Sequence, residues 1–363
     1  MNEKEKMYLH WFCFHAKIPL RKKQELLKLG ILPQSIYEKK REESSSYFTK
    51  KEWERFLPSV ELETTKRELE WMNRNHGWML YCTQKEYPER LKEIYDYPLG
   101  LYGIGKKLRE DQLLIAMVGA RDASPYGVQA AREFANALAK ENVGIVSGLA
   151  RGIDACSHKG ALEANGHTIG VLGCGIDICY PRSNQWIYEK IKRHGTLLSE
   201  FPLGTPPLPA YFPQRNRIIS GLSQGIFVVE AKRKSGSLIT ANFALEQGRD
   251  IFALPGRYYD EMSEGCGDLI LQGAKLVYEP KHILEEYDYC SHNSLNFEYS
   301  ENFLLDKNEK LVYDCLRLEP KHINEVVSET SLSFSQVAAT LTMLEMRQII
   351  VQVKKNYYRR KTK

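Results

Sequence analysis

Between residues 78 and 287, short apolar runs end repeatedly in glycine-rich turns and alternate with amphipathic stretches. The runs are LIAMVGAR (114–121), VGIVSGLARGID (143–154), TIGVLGCGID (168–177), TLLSE (196–200), GIFVVEA (225–231) and DIFALPG (250–256). Helical spacing fills the gaps at 126–141, 154–164, 185–194, 214–222 and 238–247. A strand that is apolar throughout has to be covered on both faces, and strands alternating with helices provide that cover. The pattern therefore predicts an α/β fold with a mostly parallel sheet. Ligands of such sheets collect at the C-terminal ends of the strands, which nominates the loop after each run.

The flanks read differently. Residues 1–75 are rich in Lys, Glu and aromatics, with helical spacing at Leu26, Leu27, Ile31 and Ile36, and predict a small helical domain. The charged, Ser-rich stretch 38–54 reads as a loop between short helices, and 288–308 as a polar linker. From 309 onward three apolar stripes follow: Leu311, Val312, Cys315 and Leu316, then Ile323, Val326 and Val327, then Val337, Leu341 and Leu344. A β-like IIVQV run at 349–353 comes next, so three helices and a hairpin predict a winged-helix-like domain through 363.

Charge is distributed unevenly. The 363-residue chain is formally +5, with 51 Lys and Arg against 46 Asp and Glu. Six of those cations lie in the last thirteen residues, VQVKKNYYRRKTK, which contain no acid, so the remainder carries 45 against 46. The body is neutral, and an anion site there has to be assembled locally. No run of about 18 apolar residues is present, so no helix is expected to cross a membrane. The N-terminus makes a poor signal peptide, and a cytoplasmic location is the expectation. Eight cysteines are scattered without a CxxC pair, which predicts neither a metal site nor a bound cofactor.

The strand-end loops concentrate cations. Gly119-Ala120-Arg121 offers a close backbone approach and a charge-assisted donor ahead of a helix, although a structural turn satisfies the same pattern. Ser147-Gly148-Leu149-Ala150-Arg151-Gly152-Ile153-Asp154 again joins strand to helix. Asp154 and His158 fit capping and a helix-face hydrogen bond better than an acid–base pair without a nucleophile. Arg182 lies in GCGIDICYPRSN (173–184). The aromatic pair Tyr211 and Phe212 then precedes Arg215, Asn216 and Arg217. That group reads either as an aromatic platform beside phosphate donors or as surface ion pairs. Lys232, Arg233 and Lys234 lead into Ser235, Gly236 and Ser237 at a helix N-terminus, where a phosphate cradle can form. No Walker A motif is present, so ATP hydrolysis is not expected. Together these residues imply an anionic ligand, and do not distinguish a mononucleotide from a polynucleotide.

The same residues resemble the DNA-processing protein A family (DprA, also called Smf). The resemblance runs through GAR (119–121), SGLARGID with His158, GALEANGHTIGVLGCGIDICYP (160–181), SEFPLG (199–204), FPQRNRIISGLS (212–223), VVEAKRKSGSLITANFALEQGRDIFALPG (228–256) and GCGDLILQGA (265–274). It covers about residues 85–287, and YPERLKEIYDYPLGLYGIG (87–105) is similar to the family's preceding segment. It implies an extended Rossmann-like domain, preceded by a sterile-alpha-motif-like helical domain and followed by a winged helix. The implied function is non-enzymatic. Such proteins bind incoming single-stranded DNA in natural transformation, load the RecA recombinase onto it, and act as homodimers through the Rossmann-like domain.

By family position, Arg121 and the segment Arg215, Asn216 and Arg217 would contact the DNA backbone, Phe212 the bases, and Ser235, Gly236 and Ser237 a phosphate; Gly119, Ser147, Gly148 and Lys232 complete the expected DNA-binding set. The chain departs from the family where a pocket Lys is usual, and Arg182 is the candidate to supply that charge. The usual glycine before the wing is also missing, leaving Gln348 or Asn356 to make a turn. Duplex binding and a structural or protein-binding role both remain open for this module. The alternative function is a phosphoribohydrolase-type nucleotide enzyme, whose PGGxGTxxE-like passage corresponds here to SGSLITANFALE.

Overall fold

The apolar runs become the strands of one sheet in the computed structural model, which describes residues 2–38, 47–49, 51–52, 62–288, 306–317, 319–347 and 349–360. Its strands are β1 (Gly77–Tyr81), β2 (Gly100–Gly105), β3 (Leu114–Val118), β4 (Gly144–Ser147), β5 (Thr168–Leu172), β6 (Thr196–Ser199), β7 (Gly225–Val228), β8 (Asp250–Ala253) and β9 (Lys275–Leu276). They lie in the order β1-β2-β6-β5-β4-β3-β7-β8-β9. All neighbours from β6 to β9 are parallel, and β1 and β2 form an antiparallel edge. β3 and β5 are buried at every position, as the continuous apolar pattern requires.

Each expected crossover helix is present: Pro125–Lys140, Ile153–Glu163, Gln185–His194, Tyr211–Leu222 and Gly236–Glu246. From β3 the chain builds outward on one side through β4, β5 and β6, and on the other through β7 and β8. The loops after β3, β4 and β7 therefore diverge from a topological switch point, where a crevice opens.

The antiparallel edge was not legible as strand. β2 reads GLYGIG, and its glycines are unfavourable in a strand interior unless something needs their space. Here the Trp78 ring occupies the place of a Gly103 side chain, and the Phe14 ring crowds Gly100.

The N-terminal helices Glu3–Phe14, Leu20–Lys28 and Pro33–Tyr37 share their core with the sheet. Trp11, Phe12, Leu26 and Ile36 are buried in one cluster with Leu80, Tyr87 and Leu101. Met1–His292 accordingly forms one compact unit, and Asn293–Lys363 forms a second.

In that second unit, helices Lys307–Cys315, Ile323–Thr330 and Phe334–Met346 pack on a three-stranded sheet of β10 (Lys321–His322), β11 (Ile350–Lys354) and β12 (Tyr357–Arg360). Val312, Leu316, Val326, Val337, Leu341 and Leu344 form its core, which makes it a winged helix; Leu311 points outward instead. The wing turns at Asn356, whose φ of 65° is a conformation that asparagine tolerates in place of glycine. Most of the stretch 38–54, most of the linker expected over 288–308, and Gln348 lie outside the described residues. Among the described residues, no helix is long and apolar enough to cross a membrane.

Candidate nucleic-acid interface

Close packing at the end of β3 requires a glycine. A side chain on Gly119 would fall 2.6 Å from Ile153 and 2.8 Å from the Glu230 carbonyl. The Ala120 N–H donates to that carbonyl at 2.8 Å, and the Ile153 N–H donates to the Ala120 carbonyl at 3.1 Å. Three strand-end loops are thereby pinned together, with Arg121 left exposed at the next position. Glu230 caps the arrangement from the loop after β7, accepting from the Ser124 N–H at 2.9 Å and from its hydroxyl.

The β4 loop is held from inside. Ser147 is buried and donates to the Met117 carbonyl at 2.6 Å. Asp154 does not cap its helix. Its carboxylate reaches back to accept from the N–H of Gly148 at 3.1 Å and of Ala150 at 3.4 Å. Burial raises its pKa, and the Arg215 charge works against that rise. His158 is fully buried and shares a 2.7 Å hydrogen bond with the Thr168 hydroxyl, as a helix-face contact rather than a partner of Asp154. Asn184, from the β5 loop, donates to the carbonyls of Leu149 at 2.9 Å and Ala150 at 3.0 Å. These bonds fix the loop backbones before any ligand arrives, which reduces the ordering cost of binding.

At this edge an aromatic and cationic cluster forms. The Phe212 ring lies against Gly173, where a side chain would fall 2.9 Å from it. The Tyr180 ring is 5.4 Å away at 35°, and the Arg121 guanidinium sits 5.7 Å from the Phe212 centroid. Phe212 is half-buried, whereas Tyr180, Arg121 and Arg182 are exposed. Tyr211 turns away from this cluster and packs on Phe201 at 4.6 Å.

The Arg-Asn-Arg segment faces the other way. Arg215 is buried and donates to the carbonyls of Gly148 and Val171, and its Nε donates to Asn216 Oδ1 at 3.1 Å. Arg217 is also buried; it pairs with Glu200 at 2.6 Å and with Asp96 at 2.9 Å. Neither guanidinium faces the crevice, because each closes an internal polar network. The ion-pair reading of this segment thus describes Arg217, whose guanidinium is buried, with Glu200 inside the protein and Asp96 reaching the surface.

After β7, Lys232 pairs with Glu261 at 2.9 Å and Arg233 with Asp268 at 3.2 Å, both in the open. Ser235 caps its helix, accepting from the Ser237 N–H at 3.3 Å, while its hydroxyl lies 2.7 Å from that of Ser237. Nothing stands within 4 Å of a side chain added at Gly236, so the backbone there is open. Among the described residues, Arg121, Arg182 and Lys234 enter no ion pair, whereas Arg151 faces Asp122 at 3.6 Å. The site therefore combines uncommitted cations, two adjacent rings and open backbone at the Gly236 helix N-terminus along one edge, an arrangement suited to a phosphodiester with unstacked bases.

Sequence reasoning brought all these loops to one edge and Tyr180 with them, but did not pair Tyr180 with Phe212 or give Gly173 a part. A glycine directly after an apolar strand, with an aromatic further along the chain needing room, is the signal that could have found them.

Residues 78–288 match the family described as DNA recombination-mediator protein A, and residues 302–354 match the DprA winged helix domain. Protein Smf of Escherichia coli is 44% identical over 245 residues, which span 67% of this chain and 65% of that protein. The Bacillus subtilis DNA processing protein DprA is 44% identical over 222 residues, 61% of this chain and 73% of its own. Among solved structures, DNA processing protein A from Streptococcus pneumoniae superposes with a TM-score of 0.67 at 32% identity, covering 78% of this chain and 98% of that one. DNA processing protein A from Helicobacter pylori, whose structure is described for its single-stranded DNA binding mode, gives a TM-score of 0.54 at 30% identity. It covers 60% of this chain and 97% of that one.

Proposed function

Because the chain belongs to the DNA recombination-mediator protein A family, the DprA/Smf DNA-processing proteins, we propose that it binds single-stranded DNA along the C-terminal edge of its sheet. In this reading the protein performs no chemistry on the strand and delivers it to the RecA recombinase during natural transformation or recombination. The observation that carries the DNA reading is the cluster of Arg121, Phe212 and Tyr180 at the switch point, with Arg182 and Lys234 uncommitted beside it. Phosphates would dock on these cations and on the open backbone at Gly236, releasing counterions, so affinity falls as salt rises. A base laid on Phe212 or Tyr180 contributes about 1–3 kcal/mol irrespective of its identity. Duplex DNA cannot offer this, because its bases are already stacked.

The homodimer is supported by apolar surface on the opposite flank of the sheet. Leu245, Leu271 and Tyr278 are 69%, 87% and 61% exposed around the β8–β9 edge. An exposed apolar edge of this kind favours a self-complementary contact.

The reading is tested by fluorescence anisotropy of a labelled poly-dT oligonucleotide at two salt concentrations with duplex competitor. Tight, salt-sensitive binding that duplex fails to displace is the expected result. Binding that prefers duplex, or release of free base from AMP, would replace the reading with a duplex-directed or nucleotide-processing one.

A further inference from the structure

Helix Glu3–Phe14 and the residue that caps it carry two imidazoles toward Glu68 of helix Leu62–Arg74. The Nε2 atoms of His10 and His15 each lie 2.8 Å from the same atom, Glu68 Oε2. The Tyr102 hydroxyl, from β2, lies 2.9 Å from that oxygen and 3.1 Å from His10 Nε2. The His10, His15 and Glu68 ligand atoms all lie within 4.8 Å of one another. The His10 side chain is fully buried, and those of His15 and Glu68 are 8% exposed.

Three donors on one carboxylate oxygen exceed the roughly two lone-pair directions that such an oxygen offers. A cation at the centre would remove the crowding, because it binds the lone pairs of both imidazoles and the carboxylate in place of three hydrogens. We propose that His10, His15 and Glu68 form a binding site for one divalent first-row transition metal, zinc by preference, with the Tyr102 oxygen at the fourth corner. Two imidazoles and a carboxylate are a zinc-type donor set.

Metal–ligand bonds of about 2.0–2.2 Å place neighbouring donors a little over 3 Å apart, so the cluster has to open by only about half an ångström. On binding, each neutral imidazole carries its proton on Nδ1 instead of Nε2. His10 Nδ1, which lies 3.0 Å from the Tyr81 hydroxyl, then donates to that oxygen. This outer contact fixes the ring as metal-ligating histidines require. Such a metal would tie the N-terminal helices to β2 of the sheet through Tyr102, a structural role. No local spacing marks it in the sequence, because Glu68 stands 53 residues from His15.

The test uses the full chain, stripped with chelator and dialysed against zinc, with bound metal counted by mass spectrometry and thermal unfolding followed in parallel. One zinc per chain and a midpoint raised by several degrees are expected. His15→Gln and Glu68→Gln, each checked for native near-UV circular dichroism, should lower zinc affinity more than tenfold. Cobalt should give a tetrahedral spectrum without a thiolate charge-transfer band, which separates this site from the free cysteines. Failure to retain zinc, retention of a full equivalent by both variants, or a thiolate band would each overturn the assignment.

Discussion

Arg215 donates to the Gly148 carbonyl at 2.7 Å, and a side chain on Gly148 would fall 2.5 Å from that guanidinium. An arginine from the helix after β6 is thus locked under the loop after β4. Burial pulls its pKa down to about 10, so it stays charged at neutral pH. Its role is to hold the crevice floor. Arg215→Ala should cost about 3–5 kcal/mol, since it leaves the buried Asp154 without its counter-charge and two carbonyls without a donor. Urea denaturation checks this, and Arg215→Lys should recover only part, because one ammonium cannot span the same acceptors.

Arg121 behaves in the opposite way. It is exposed and enters no ion pair among the described residues, so Arg121→Ala should leave the unfolding midpoint unchanged while weakening poly-dT binding. The slope of log affinity against log salt should fall by about one. Phe212→Ala should weaken binding by about 1–3 kcal/mol without changing that slope, because stacking releases no counterion. Equal salt slopes for Arg121→Ala and the native protein would remove Arg121 from the phosphate path.

How much of this was legible in the sequence depends on what each signal measures. Apolar runs and helical spacing report burial, and they located β3 to β8 and the crossover helices to within a few residues. They could not find β2, where Gly100 and Gly103 give way to the rings of Phe14 and Trp78 from elsewhere in the chain. Charge counting brought the cations to one edge, but it cannot tell an arginine that faces water from one that faces a carbonyl. Arg121 and Arg215 look alike in sequence and differ only in the direction the fold gives their side chains. Tyr180 was visible as a residue and invisible as a neighbour of Phe212, since that contact needs two loops in place.

Stability should decline below neutrality through two imidazoles, the buried His158 and the half-buried His167. Burial, and then the Arg215 charge, lowers His158 to about 3; burial with Lys106 and Arg109 lowers His167 to about 4. In the unfolded chain both titrate near 6.5. The unfolded state therefore takes up protons first, so the stabilisation is complete above that value and is lost as pH falls toward the folded values. Between about pH 7 and pH 5.5 the two sites together should cost about 2–3 kcal/mol. The buried carboxyls of Asp154 and Glu200, raised by burial, act in the opposite sense nearer the acid range. Urea midpoints across that window check the prediction, and His158→Gln should remove about half of the slope. A flat profile in the native protein would mean that neither imidazole is held neutral.

The proposed dimer makes the sharpest demand on the surface. A two-fold contact uses the same patch on both copies, so one substitution enters the interface twice. Leu271 is 87% exposed and makes little contribution to the folded chain's own core. Leu271→Glu should therefore leave the melting midpoint nearly unchanged while converting dimer to monomer in light scattering. The DNA consequence follows from geometry. A long oligonucleotide that reaches both crevices gains from the second contact by effective concentration, whereas a short one cannot. The variant should accordingly lose affinity for long poly-dT and keep it for an oligonucleotide that fills one crevice. Equal losses on both lengths would place Leu271 at the DNA edge, and a native protein already monomeric at tens of micromolar would exclude the dimer.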